Sequence, residues 1–223
     1  MANKNAQDAL NVEDQLSKSE AFFDKNKKTI LIAIAAVVLV IAGFFLYKAY
    51  VSGPREDKAS TALAKGQEYF NNEMFDKALN GDGAGYAGFV KVADDFSGTD
   101  AANLANLYAG LCYAHLGNMQ EAASYLENYD AADDAMVSPA AVGALADVKA
   151  SLGELDEAVE LFKKAADKAD NNTLSPQFLI KAGEILESQG KKEDALKLYE
   201  QIKAKYLNSM EYGKIDAYIE RVK

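Results

Sequence analysis

The sequence predicts an all-α protein: one N-terminal transmembrane helix, then a stack of about four helix pairs closed by a C-terminal capping helix. Three observations carry this. Thr29–Tyr47 runs for nineteen residues without a charge. From Arg55 onward Ala, Leu, Glu, Lys and Tyr dominate, apolar residues recur at spacings of three and four, and the alternation of a half-buried strand is absent. Finally, a pattern of small residues repeats at a nearly constant interval through the second half of the chain.

The first element is the apolar run. As a helix rising roughly 1.5 Å per residue it spans about 28 Å, close to the ~30 Å hydrocarbon core of a bilayer. It is apolar on every side, so it lacks the polar face of a surface helix. In lipid a helix is the one single-segment structure that satisfies its own backbone hydrogen bonds. A buried soluble helix is the alternative, and the length argues against it. A signal peptide has a shorter apolar run of roughly 7–15 residues and a small-residue cleavage site. Here 28 residues precede the run, and Lys48-Ala49-Tyr50-Val51 follows it with no A-x-A pattern. An uncleaved anchor is therefore expected.

Lys25, Lys27 and Lys28 crowd its N-terminal side, with Lys4 and Lys18 further out, while Lys48, Arg55 and Lys58 are more spread. This asymmetry places the N-terminus in the cytoplasm and the rest outside. Phe44, Phe45, Tyr47 and Tyr50 would form an aromatic belt on the far side. The expected divisions are a polar cytoplasmic arm (1–28), the anchor (29–50) and an extracytoplasmic domain (51–223). Within the arm, Leu10, Glu13, Leu16, Glu20 and Phe23 suit a short amphipathic helix, and the first ten residues read as unstructured. Ser52-Gly53-Pro54 is expected to break the helix after the anchor.

Residues 51–223 carry 18 Lys and Arg against 29 acids. A domain this acidic repels phosphate, so nucleic acid is excluded as a partner, and it is held off anionic headgroups. The single cysteine, Cys112, cannot form an intramolecular disulfide and reads as a small buried residue within the apolar stretch 107–114.

The repeat is specific. Gly110, Gly117 and Ala122 recur as Ala146, Gly153 and Ala158, and again as Gly183, Gly190 and Ala195. The Ala-to-Ala intervals are 36 and 37 residues. A degenerate copy, Gly66 and Ala78, has Glu73 where the glycine should stand. The first small residue lets two antiparallel helices approach, and the glycine seven later supplies the positive φ that ends the first of them. An acid before the Ala suits the first turn of the second helix. The Ala then packs on the first helix, and Leu126, Phe162 and Tyr199 are expected to fill the space between pairs.

This pattern resembles the tetratricopeptide repeat (TPR), a helix–turn–helix unit of about 34 residues, over residues 56–207. The repeat-ending proline is missing, and Pro139 and Pro176 instead fall near the starts of first helices. The layout as a whole looks like single-pass TPR proteins of bacterial inner membranes related to the ancillary subunit of the Sec translocon. That resemblance implies an anchor associated with the translocon, and periplasmic repeats that engage chaperones or emerging clients. A scaffold in envelope assembly or cell-division coordination is the alternative within the same class.

The first unit is irregular. Asn80-Gly81 and Asp82-Gly83 are turn signals, so its second helix is expected to be short, with an inserted helix at about 86–95. Asp82, Asp94 and Asp95 lack the ligand spacing of an EF-hand, so no metal is expected there. At the other end, Tyr212, Ile215, Ile219 and Val222 lie at helical spacing, as a capping helix requires.

No catalytic constellation is legible, and no cofactor is expected. The one histidine, His115, sits two residues before Gly117 at a helix end and has no nucleophile in a recognisable motif. An enzyme would need a deep polar pocket around it. Binding is the favoured reading, to proteins or peptides through the first helices of the pairs. Gln67, Phe70, Leu107, Leu111, His115, Gly143, Asp147, Ile180 and Glu184 would face such a partner. Leu107 and Leu111 would form an apolar spot unless the inserted helix covers them.

Overall fold

The computed structural model describes the backbone of residues 2–223 and the side chains of residue 22 and residues 25–223. The chain divides into two compact units at Pro54/Arg55.

The first unit is built from α1, Ala2–Tyr47, and a one-turn π-helix at Lys48–Ser52. Helix α1 begins at Ala2, so residues 2–10 are helical rather than unstructured; their Ala, Gln, Lys and Leu content favours a helix. No side chain from Thr29 to Tyr47 is buried, and Leu39 and Val40 are each 72% exposed. Among the described residues this is the one helix long and apolar enough to cross a membrane. The expected break at Ser52-Gly53-Pro54 takes a milder form. Gly53 stays helical at φ −58°, ψ −57°, and its N–H bonds to Lys48 O, five residues back. Pro54 has no N–H to give, and it lies in the first turn of the next helix, where none is needed.

The second unit is helical throughout, with no strand among the described residues. Four helix pairs follow in order: α2 (Gly53–Asn71) with α3 (Phe75–Asn80), α5 (Asp100–His115) with α6 (Met119–Glu127), α7 (Val137–Ser151) with α8 (Leu155–Ala169), and α9 (Ser175–Ser188) with α10 (Lys192–Lys205). The inserted helix α4 (Phe89–Asp95) starts three residues later than its sequence suggests. A capping helix, α11 (Ile215–Val222), closes the stack.

The core is segmented along the stack. Phe89 and Val92 of α4 join Leu63, Ala78 and Cys112 at one end. Leu107, Ala122, Leu126 and Val148 form the centre. Phe162, Tyr199, Ile202, Ile215 and Ile219 form the other end. The capping face is Ile215, Ile219 and Val222; Tyr212 is 38% exposed, because it lies in a 3-10 turn ahead of α11 and so falls out of the helical register.

The repeat positions fall at the close approaches. A Cβ on Gly110 would lie 2.6 Å from Leu126 Cγ and 3.1 Å from Ala122 O, and one on Gly183 would lie 2.4 Å from the Tyr199 ring. Gly66 is likewise filled by Tyr86 and Phe89. Ala78, Ala122, Ala146, Ala158 and Ala195 are all fully buried. Leu126 and Tyr199 therefore fill the space inside their own pairs, and they also reach beyond them: Leu126 shares the central cluster with Ala141 and Val148 of α7, and the Tyr199 ring lies 5.2 Å from that of Tyr218 in α11. A side chain four residues beyond the Ala lies one helical turn along the same face, so it meets the partner helix too. Phe162 does reach the next pair, with its ring centroid 6.2 Å from that of Phe178. Gly117, Gly153 and Gly190 end their helices at φ 83°, 82° and 74°. Glu73 takes the same left-handed conformation without the freedom of a glycine, at φ 58°.

Helix starts are fixed by acceptors that the repeat pattern does not contain. The Glu56 carboxylate accepts the Asp100 and Ala101 N–H groups at 2.9 and 3.0 Å, capping α5 from forty-four residues away. Asp134 accepts the N–H groups of Met136, Val137 and Ser138 and the Ser138 hydroxyl at the start of α7. Asn171 serves α9 in the same way, accepting from Thr173 and Leu174.

Candidate protein-binding groove

The C-terminal halves of α5 and α7 and the start of α6 enclose a groove of about 240 Å³. Leu111, Ala114, Met119, Ala144 and Val148 give it an apolar floor, and His115, Asp147 and Ser151 a polar rim. Ala114 and Ala144 are the small residues of that floor.

Three of the residues singled out in the sequence meet here: Leu111, His115 and Asp147. Leu107 does not. It is 7% exposed and packs in the central core with Ala122, Leu126, Ala141 and Val148, so α6 and α7 cover it rather than the inserted helix. Gln67 and Phe70 belong to a separate aromatic cluster, where Gln67 donates to the Tyr108 hydroxyl at 3.0 Å and the Phe70 ring meets Phe75, Tyr108 and His115. Gly143 faces Phe178 of α9, 2.3 Å from where its Cβ would be. Ile180 lines a different hollow with Lys181, Met210 and Tyr218, and Glu184 is exposed one turn further along α9. Met119 and Ala144 escaped the sequence reading; the signal for Ala144 was its place one turn before Asp147 on the same face of α7.

His115 is held by rings. Its imidazole stacks on Phe75 with centroids 4.2 Å apart and planes 4° from parallel. The pocket next to it is lined mostly by apolar side chains. Asp147 accepts two hydrogen bonds from Lys181 Nζ, at 2.7 and 2.8 Å, which ties α7 to α9 along the rim. Lys181 also lies 5.4 Å over the Phe162 ring. Among the described residues no group of three His, Cys, Asp or Glu side chains could hold a metal ion. Asp82, in the turn after α3, accepts hydrogen bonds from the Tyr69 hydroxyl and the Ala84 and Tyr86 N–H groups. Those bonds hold its carboxyl down at about 2. Cys112 is fully buried, and burial pushes its thiol up to about 12.

Stacked antiparallel helix pairs, each joined by a left-handed turn, with an accessible groove between them, define a helical repeat scaffold. The chain belongs to the tetratricopeptide repeat-like domain family, which matches residues 20–216. No curated protein matches it. Among solved structures it is similar to nearly identical TPR-like repeats, from Podosopora anserina, assigned to a kinesin light chain. That structure is 17% identical, has a TM-score of 0.58, and the match covers 75% of this chain and 86% of that one. A single-substitution variant of the same protein gives 16% identity, a TM-score of 0.58, and coverage of 75% and 85%. At this identity the likeness is one of fold alone.

Proposed function

We propose that the chain is a membrane-tethered scaffold that binds other polypeptides through its helix pairs. In this reading residues 1–28 lie in the cytoplasm, 29–50 in the membrane and 51–223 outside it. The observation that carries it is the coexistence of two uncovered apolar features: a helix with no buried side chain from Thr29 to Tyr47, and the groove lined by the part-exposed Leu111, Ala114, Met119 and Ala144. Lipid would cover the helix and a partner would cover the groove.

The finer reading is an ancillary factor of protein translocation, or of a periplasmic chaperone network, in a bacterial inner membrane. It rests on the resemblance of the layout to the ancillary Sec subunit family. The surface assigned to the partner is the groove around Leu111, His115 and Asp147.

Two measurements on the full chain in intact cells test this. Alkaline phosphatase fused after Lys223 is expected to be active, and the membrane-bound protein to keep residues 1–28. Loss of that segment would make the apolar helix a signal sequence, and inactive phosphatase would leave the domain in the cytoplasm. A photo-crosslinker at Leu39 is expected to capture a translocon subunit. Capture of cell-division or envelope-assembly proteins instead would overturn the translocation role while leaving the scaffold in place.

A further inference from the structure

At the opposite end of α5 from the groove, a second hollow of about 320 Å³ lies between the end of α4, the first turns of α5 and the segment that follows α6. Helix α6 has nine residues, against fifteen in α8 and fourteen in α10, and the chain leaves it beside the start of α5. Three amides line the hollow, those of Asn103, Asn106 and Asn128, together with Asp100 and Asp130 and no Lys or Arg. One of these amides already holds main chain. The Asn103 side chain donates to the Asp130 carbonyl oxygen at 2.8 Å and accepts the Asp130 N–H at 2.7 Å. Both main-chain groups of one residue are thus met by one planar amide, the exchange that a residue of a neighbouring strand makes in an antiparallel ladder. Asn106 stands one turn further along α5 and is half-buried, and Asn128 ends α6. Neither side chain has a hydrogen-bond partner among the described residues.

We infer that this hollow holds an extended, uncharged stretch of another polypeptide, gripped by its main chain through the Asn106 and Asn128 amides as Asn103 grips Asp130. The site is separate from the groove around Leu111 and does not rest on that assignment. A side-chain amide offers donors and an acceptor in one plane, which a peptide unit complements whatever side chain it carries. Ala93, Gly98 and Ala102 complete the lining with small groups, so the hollow suits a segment of small residues and offers no floor to a large apolar one. Asp100 and Asp130 disfavour an anionic ligand, which sets aside phosphates and acidic peptides. Sugar rings are commonly held across their apolar face by aromatic side chains, and among the described residues none lines this hollow. An uncharged main chain is the class that remains.

The test uses the full chain in a neutral detergent and a dye-labelled, uncharged hexapeptide of alternating Thr and Ser, whose β-branched residues favour an extended backbone. Fluorescence anisotropy is expected to show this peptide binding, and a version with N-methylated peptide groups binding about tenfold or more weakly, because methylation removes the main-chain donors. Asn106→Leu, close in size but without hydrogen-bonding groups, is expected to weaken the peptide by about tenfold, and Asn172→Leu, at an exposed position elsewhere, by less than about twofold. Asn128→Leu repeats the test from outside the helix in case Asn106→Leu loses helicity by circular dichroism. Ala144→Leu fills the Leu111 groove and should leave this peptide unchanged within about twofold. Equal binding of the N-methylated peptide, equal effects of Asn106→Leu and Asn172→Leu, or no binding at all would overturn the inference. So would weakening by Ala144→Leu, which would place the peptide in the other groove. Chitotriose is expected not to compete; competition that Asn106→Leu removes would make the hollow a glycan site instead. The scaffold reading falls separately, if crosslinking in cells captures no protein.

Discussion

Glu73 and Gly117 occupy the same turn of two different helix pairs, and both hold a left-handed backbone, at φ 58° and φ 83°. The pairing isolates a backbone effect, since a Cβ at Gly117 would touch nothing within 4 Å. An L side chain in this region costs roughly 1–2 kcal/mol relative to its relaxed conformation. Glu73→Gly should therefore stabilise the protein by about 0.5–1 kcal/mol after the added freedom of the unfolded chain is deducted. Gly117→Ala should destabilise it by about 1 kcal/mol. Urea denaturation of the full chain, followed by helical circular dichroism, checks both, and opposite signs at the two positions are the signature.

Overpacking tests the register of the pairs. Gly183→Ala drives a methyl into the Tyr199 ring, and Ala158 is fully buried between α7 and α8. Each of Gly183→Ala and Ala158→Phe should cost about 1–3 kcal/mol. Tyr199→Leu should relieve part of the Gly183→Ala cost in a double-mutant cycle but none of the Ala158→Phe cost. An unmoved melting temperature would mean that the small residues do not sit where the helices meet.

Two carboxylates link stability to acid. Hydrogen bonds from Tyr69, Ala84 and Tyr86 hold Asp82 at about 2, and those from Ser138, Met136 and Val137 hold Asp134 at about 2. Both values lie below the ordinary 3.8, so the folded state binds these protons less readily than the unfolded chain. Their stabilisation is complete above pH ~4 and is lost as pH falls toward ~2. The melting temperature should decline through that window. Asp134→Asn keeps an acceptor at the start of α7 but cannot titrate, so its melting temperature should decline less steeply over the same range.

Lys149 is the most enclosed cation of the second unit's ion pairs, its side chain 12% exposed and its Nζ within 3.4 Å of Glu127, Glu154 and Glu157. Removing it strands three acids from α6, α7–α8 and α8 beside one another. Lys149→Met should cost about 1–3 kcal/mol, more than an exposed pair, and adding Glu127→Gln should recover part of that. If Lys149→Met is neutral in chemical denaturation at low salt, the cluster contributes nothing to the stack.

Much of the stack was legible because its determinants are local. Gly117, Gly153 and Gly190 announce left-handed turns by residue type, and Ala122, Ala158 and Ala195 announce close contact by their lack of bulk. The run Thr29–Tyr47 announces itself by length and absence of charge. Long-range relations were not legible. Nothing near Glu56 in sequence points to the N-terminus of α5, and nothing near Leu107 says that Ala141 and Val148 will bury it. The groove was half visible: Leu111, His115 and Asp147 follow from helical spacing, and Ala144 lies one turn before Asp147 on the same face, whereas Met119 enters only through the packing of α6. Leu126 and Tyr199 were placed on the right helices, but their contacts with Gly110 and Gly183 inside the pair were not legible, because spacing gives the face of a helix and not every helix it meets.

The enclosure of Cys112 has a practical consequence for labelling. It is the only thiol, it is fully buried, and it stays protonated at any pH where maleimides are selective. The native chain therefore behaves toward such reagents as though it contained no sulfhydryl. A cysteine introduced at an exposed position such as Ser151 or Met210 would carry a spin label or fluorophore alone, with no need to remove the native one.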